Sequence, residues 1–354
     1  RWTGSGRAMA EIWSQGPGAL SSVEVLMNWV VLFILIVSTA WILSASYQRL
    51  VIRRFSTSFP APGKFYSVEG AQIHVHCSGT GTVPVILEGG SGMWSLDWHE
   101  VQETLAESTM VCSYDRAGHG WSDFSKQSRS IEQLVNELHG VLTAAKIPKP
   151  FILVGASFGG PMIQLYEQQY PDHVAGLVLV DSRPRSYLES FREVRPAAID
   201  EHISRQRLIA KLYDLGLLAS IAKLQGQLEF SERPQHLRAT YQDLGRLTKH
   251  AAASAYEVMA DEISDRQMQK ISSIGAKPLT VIAHGKPTMF HGQLGLTASE
   301  AQQLEDIWSK EQEELARLSS RSEFLVAENS GHLICIEQPD IVVDAVKKML
   351  EVRN

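Results

Sequence analysis

A serine set between two glycines is the feature of this sequence most able to do chemistry. Gly155-Ala156-Ser157-Phe158-Gly159 directly follows the apolar run Phe151–Val154 and precedes a helical pattern from Pro161 to Tyr170. On a sharp strand-to-helix turn, a serine hydroxyl stands exposed at the strand's carboxyl end, and glycines relieve the crowding that such a turn creates. The helix start contributes backbone N–H groups and a positive dipole end. The chemistry this suits is nucleophilic attack on a carbonyl.

A serine hydroxyl is a poor nucleophile at neutral pH and needs a base. His332, in Asn329-Ser330-Gly331-His332-Leu333, follows the last strand-like run and precedes the last helical pattern, with a glycine beside it. No other histidine combines that order with that neighbour. The third member of such a set is a carboxylate that orients the imidazole, lying between serine and histidine in the chain. The loop after Leu279–Ala283 reads His284-Gly285-Lys286-Pro287-Thr288-Met289-Phe290 and holds no carboxylate before Glu300. Asp181 closes the earlier run Gly176–Val180 and is assigned as the acid, with Asp306 and Glu300 as reserves. Two N–H donors must face the developing oxyanion. They are assigned to Phe158, just after the nucleophile, and to Gly90 in Glu88-Gly89-Gly90-Ser91-Gly92-Met93, with Ser91 as the other option. Asp115 and Arg116 precede the serine and lack metal-ligand spacing; they are read as a structural ion pair and turn. Neither a metal nor a cofactor is called for.

The elements that position these residues alternate along the chain. Gln72–Cys77, Val83–Leu87, Met110–Tyr114, Phe151–Val154, Gly176–Val180, Leu279–Ala283 and Glu323–Val326 are short runs that read as strands, most of them buried on both faces. Ile131–Ala145 and Pro339–Leu350 are amphipathic helical patterns. Strand–helix alternation predicts an α/β fold, a mostly parallel sheet with helices on both faces. Ser186–Ile274 breaks the rhythm: it has no strand-like run and reads as an inserted helical cap. The expected division is a segment 1–60 followed by a domain 61–354, with the cap at about 184–275.

Together these residues resemble the α/β-hydrolase superfamily. YDRAGHGWSD, LVGASFGG, YPDHVAGLVLVDS and SGH fall in the family's order and spacing, and the resemblance runs from about Phe65 to Leu350. It implies an esterase- or lipase-like serine hydrolase. This sequence departs from the family pattern at Glu88 and at Ala156, where histidine is usual or common. In some members, haloalkane dehalogenases among them, the acid follows the earlier strand, as Asp181 does here. Dehalogenases and epoxide hydrolases use an Asp nucleophile, which Ser157 argues against.

Near the start, Val23–Leu43 is apolar, with Trp29 and Trp41 toward its ends. Its length fits a bilayer core and predicts a single transmembrane helix. Arg49, Arg53 and Arg54 follow it, which predicts a hydrolase part on the cytoplasmic side. The net charge of -6 and the lack of a basic stretch exclude a nucleic-acid partner. Cys77, Cys112 and Cys335 lie in apolar surroundings and are read as buried, unbridged residues. The expected activity is cleavage of a carboxylic ester or thioester, hydrophobic or lipid-like, through an acyl-enzyme. An amidase, a C–C hydrolase, an acyltransferase and a non-catalytic membrane-bound binding module remain the alternatives. The oligomeric state is not legible.

Overall fold

The computed structural model describes residues 22–215, 217, 235–245, 247–271, 273–287 and 295–351. Parts of the expected N-terminal segment (1–21), of the cap (218–234) and of the loop after Leu279–Ala283 (288–294) lie outside the described residues. Eight strands form one sheet: β1 (Lys64–Val68), β2 (Ala71–Ser78), β3 (Val85–Glu88), β4 (Val111–Tyr114), β5 (Phe151–Ala156), β6 (Val174–Val180), β7 (Leu279–His284) and β8 (Ser322–Ala327). Their order is β1-β2-β4-β3-β5-β6-β7-β8. β2 is antiparallel to both β1 and β4, and every other pairing is parallel. The seven expected strands are all present. β1 is the addition; it is largely exposed and carries no apolar run that would mark it.

Among the described residues, the helices of eight residues or more are α1 (Ser22–Ser58), α2 (His99–Ala106), α3 (Ile131–Ala144), α4 (Gly159–Gln169), α5 (Tyr187–Val194), α6 (Pro196–Asp214), α7 (Arg238–Gly245), α8 (Thr248–Met259), α9 (Asp261–Met268), α10 (Ala298–Ala316) and α11 (Pro339–Glu351). Strands β3 to β7 are wholly buried because helices cover both faces. On one face Leu134 and Leu138 of α3 and Ile163 of α4 pack on Leu153 and Leu177. On the other, Val101 and Leu105 of α2 and Val342 and Val346 of α11 pack on Val154 and Val178. Helices α5 to α9 form the insertion between β6 and β7.

Within α1, Ser22–Tyr47 is long and apolar enough to cross a membrane, with mean hydropathy 2.3 and its most apolar eighteen residues unburied. The same helix then reaches the folded body. Phe55 is buried in an aromatic cluster with Trp94, Tyr241 and Leu247, and the Trp121 indole donates to the Phe59 carbonyl at 2.9 Å. Tyr241 and Leu247 belong to the insertion, and Trp94 to the loop after β3. The end of α1 therefore sits on the seam between insertion and core.

The cysteine reading is corrected in part. Cys77 and Cys112 lie directly opposite each other on β2 and β4 and form a disulfide, with Cα atoms 4.1 Å apart. Sheet register decides such a pair, so 35 residues of separation gave no sign of it. Cys335 is buried, as expected.

Candidate active site

Strand β5 runs straight into Ser157, whose φ of 47° lies in the left-handed region. A non-glycine residue adopts that region only when its surroundings impose it. They do so here through three backbone bonds. Ser157 N–H donates to the Val180 carbonyl at 3.0 Å, and its own carbonyl accepts from Gly160 (3.0 Å) and Arg183 (2.9 Å). The flanking glycines are required by space. A Cβ on Gly155 would lie 2.6 Å from the Gly159 oxygen, and one on Gly159 would lie 2.6 Å from the Glu88 oxygen.

Ser157 lines a cavity of about 210 Å³ between core and insertion, shared with Phe158, Tyr187, Ile199, Val258 and Trp308. Gly90 stands beside it: a Cβ there would come within 3.0 Å of the Ser157 Cβ. The Gly90 N–H meets the Met93 sulfur at 3.1 Å, a weak acceptor that an oxyanion outcompetes. The loop's carbonyls turn the other way, onto Arg116. Its guanidinium donates to the Gly89 and Gly90 oxygens at 2.7 Å each, to Glu88 at 2.6 Å and to Glu257 of α8 at 2.9 Å. Burial pushes the Glu88 carboxyl up to about 7, against the opposing pull of Arg116 and of the Tyr114 hydroxyl.

Asp115 and Arg116 do not pair with each other among the described residues. Asp115 instead accepts from His74 (2.9 Å) and from the Ser95 and Trp121 amides, which fixes the turn. Arg116 braces the glycine loop against the insertion. A second tie joins Arg183 to Asp261 (2.6 Å) and Asp265 (2.5 Å) of α9.

Asp181, at the end of β6, also has a left-handed backbone, with φ 43°. Its buried carboxylate accepts from four groups. His332 Nδ1 reaches Oδ2 at 2.5 Å and His284 Nδ1 reaches the same oxygen at 2.7 Å. Trp308 Nε1 (3.0 Å) and the His284 amide (3.3 Å) reach Oδ1. Burial alone would raise its pKa; the two histidine bonds outweigh that and hold it well below the usual carboxylate range.

The structure thus brings Asp181 to His332, and Gly90 to Ser157. Trp308 links the two pairs: it bonds Asp181, meets the His332 ring edge-on at 5.6 Å between centroids, and lines the cavity with Ser157. Among the described residues no hydrogen bond joins the Ser157 hydroxyl to His332. Catalytic bonds often tighten only when substrate is present. The reserve acids stand elsewhere. Asp306 is exposed and accepts from Gln302, and Glu300 caps α10 through Thr297.

Sequence reasoning missed His284 and Glu305. Burial opposes charge on His284, yet bonds to Asp181 and to Glu305 Oε2 (3.0 Å) hold its pKa up at about 10. Two signals marked the pair. His284 closes β7 at a strand end, and Glu305 falls on the buried stripe of α10 with Ala301, Leu304 and Trp308. Asp181, His284 and His332 offer nitrogen and oxygen atoms all within 4.8 Å of one another. Both Nδ1 atoms address one carboxylate oxygen, at 2.5 and 2.7 Å, so the three side chains are knit together by hydrogen bonds.

Comparison with known proteins bears on the fold. Residues 83–339 match the model of the alpha/beta hydrolase fold. The chain is 25% identical over 281 residues to the uncharacterized protein YqjL of Bacillus subtilis, covering 79% of this chain and 88% of that one. Its fold resembles a thermophilic esterase from Thermogutta terrifontis, with TM-score 0.56, 22% identity, and coverage of 81% of this chain and 96% of that one. It also resembles a meta-cleavage product hydrolase of Pseudomonas fluorescens IP01, with TM-score 0.51, 19% identity, and coverage of 83% and 99%.

Proposed function

This chain belongs to the alpha/beta hydrolase fold family, and from that membership we propose that it is a membrane-anchored serine hydrolase acting on a carboxylic ester or thioester. The observation that carries the reading is the Asp181–His332 bond at 2.5 Å, on the sheet edge where Ser157 opens into the cavity. In this reading His332 takes the Ser157 proton as Oγ attacks the carbonyl carbon. The Phe158 and Gly90 amides hold the oxyanion, and protonated His332 then delivers the proton to the departing alcohol or thiol. Water, deprotonated by His332, attacks the acyl-enzyme; the acid leaves and Ser157 regains its proton. Ile199, Val258, Phe158 and Trp308 in the cavity favour a hydrophobic acyl or alkyl group.

The test is labelling by a fluorophosphonate probe. Folded wild-type protein is expected to label on Ser157, and the Ser157→Ala variant to remain unlabelled. Unlabelled, folded wild type would sink the enzyme reading in favour of a binding module. An amidase, C–C hydrolase or acyltransferase would label too, and product analysis with ester, amide and acyl-acceptor substrates separates those.

The anchor is part of the same proposal, as are the divisions 1–60, 61–354 and a cap at about 184–275. Large exposed apolar side chains along Ser22–Tyr47 call for a non-aqueous surrounding. Twenty-six helical residues extend about 39 Å at 1.5 Å each, enough for a bilayer core of about 30 Å. Arg49, Arg53 and Arg54 favour a cytoplasmic hydrolase domain. The Cys77–Cys112 bond pulls the other way, because disulfides persist in oxidising compartments. We follow the arginines: a topology reporter fused after Asn354 is expected to read cytoplasmic. A lumenal or extracellular signal reverses the orientation.

A further inference from the structure

Asp181 serves two histidines, and the proposed mechanism uses one. His284 lies on the far side of the shared oxygen from the reaction, with Nδ1 on Asp181 and Nε2 on Glu305. All three side chains are essentially shut off from solvent. Water therefore screens their charges little. The chain Glu305–His284–Asp181–His332 is continuous through hydrogen bonds of 3.0, 2.7 and 2.5 Å.

We propose that His284 is a positioning residue whose positive charge, balanced by Glu305, sets how strongly Asp181 stabilises protonated His332, and so the pH range in which His332 acts as base. The inference rests on the acyl-transfer reading given above. Among the described residues, the charged and titratable groups that face His284 are Asp181 from the end of β6, Glu305 from α10 and, across Asp181, His332 from the loop after β8. Lys286 and Glu328 occupy the two loops that flank them, joined by the bonds from Gly285 N–H to the Ala327 carbonyl and from Lys286 N–H to the Ser330 carbonyl.

The signs follow from counting charge. With Asp181 and Glu305 ionised and His284 protonated, the group beside His332 carries one net negative charge. His284→Gln leaves two. Extra negative charge favours the protonated base, and a protonated base cannot accept the Ser157 proton. The acid-side midpoint of the kcat/KM profile is therefore expected to rise, by about one to two pH units for a charge removed this close at an intermediate effective dielectric. His284→Gln/Glu305→Gln restores one net negative charge, and its midpoint is expected to return toward that of the wild type. A merely structural role predicts a lower plateau with an unmoved midpoint. It gives no reason for a second deletion to restore the first.

The experiment is the pH dependence of kcat/KM and of the fluorophosphonate labelling rate for wild type, single and double variants of the full chain in detergent. A midpoint unmoved in His284→Gln, or equally displaced in the double variant, overturns the inference. Should the single variant not fold, ring 15N resonances of wild-type His284 decide it. Both nitrogens are expected to stay protonated at pH 8, and a neutral ring there overturns the proposal. Wild type that labels without these shifts removes this inference alone; wild type that never labels removes the reading beneath it.

Discussion

Asp181→Asn is expected to lower kcat by about four orders of magnitude while leaving the protein folded, measured on an ester substrate beside a thermal melt. The size follows from the acid's role in such a triad. Asparagine keeps the shape but cannot stabilise an imidazolium, and its amide favours the wrong tautomer. Folding is expected to survive for two local reasons. Asparagine tolerates the left-handed backbone at this position, φ 43°, as few other residues do. It also retains an oxygen for the Trp308 indole. His284 keeps its bond to Glu305, so no cation is left without a counter-charge. A loss below about tenfold would remove Asp181 from the acid's role. It would not promote Asp306 or Glu300, whose carboxylates are engaged on α10 with Gln302 and Thr297.

How much of this was legible depended on how local each feature is. Ser157 announces itself within five residues because turn, strand and helix are contiguous. The pairing of Asp181 with His332 was legible because a polar residue closing a buried strand, or following the last one, sits at the carboxyl edge of the sheet whatever the cap does. Glu305 was overlooked in favour of Asp306, its neighbour. One residue is about 100° of helix, and the buried stripe through Ala301, Leu304, Glu305 and Trp308 excludes Asp306. His284 stood where an acid was sought, and a histidine there was read as an absence. Nothing local pairs Cys77 with Cys112, or Arg116 with Glu257 a further 141 residues along, because sheet register and cap docking decide those contacts. β1 lacked any apolar pattern, being an exposed edge strand.

Arg116→Met is expected to destabilise the protein by about 3–5 kcal/mol, the range for removing one partner of a buried charge cluster. Arg116 is almost wholly buried and stands between two buried carboxylates, Glu88 and Glu257. Methionine fills comparable volume, so the loss reports charge and hydrogen bonds more than a cavity. The deficit should depend on pH. Without the guanidinium, burial is left to raise both carboxyl groups with less to oppose it. A carboxyl raised in the folded state binds its proton more tightly there than when unfolded. Folding is then favoured at low pH, and stability falls as pH rises through the raised value. The gap between variant and wild type is therefore expected to be wider at pH 8 than at pH 5. Activity should fall as well, because the Gly89 and Gly90 carbonyls lose the donor that turns them away from Ser157. Arg116→Lys keeps the charge but not the planar fork that spans four acceptors, and it is expected to recover only part of the stability. Differential scanning fluorimetry of the detergent-solubilised chain reads the stability effects, and turnover of an ester substrate reads the activity. A fall in Tm of roughly 10 °C is expected for Arg116→Met at neutral pH. A fall under about 3 °C, or one that is the same at pH 5 and pH 8, would remove Arg116 as the brace between the glycine loop and the insertion.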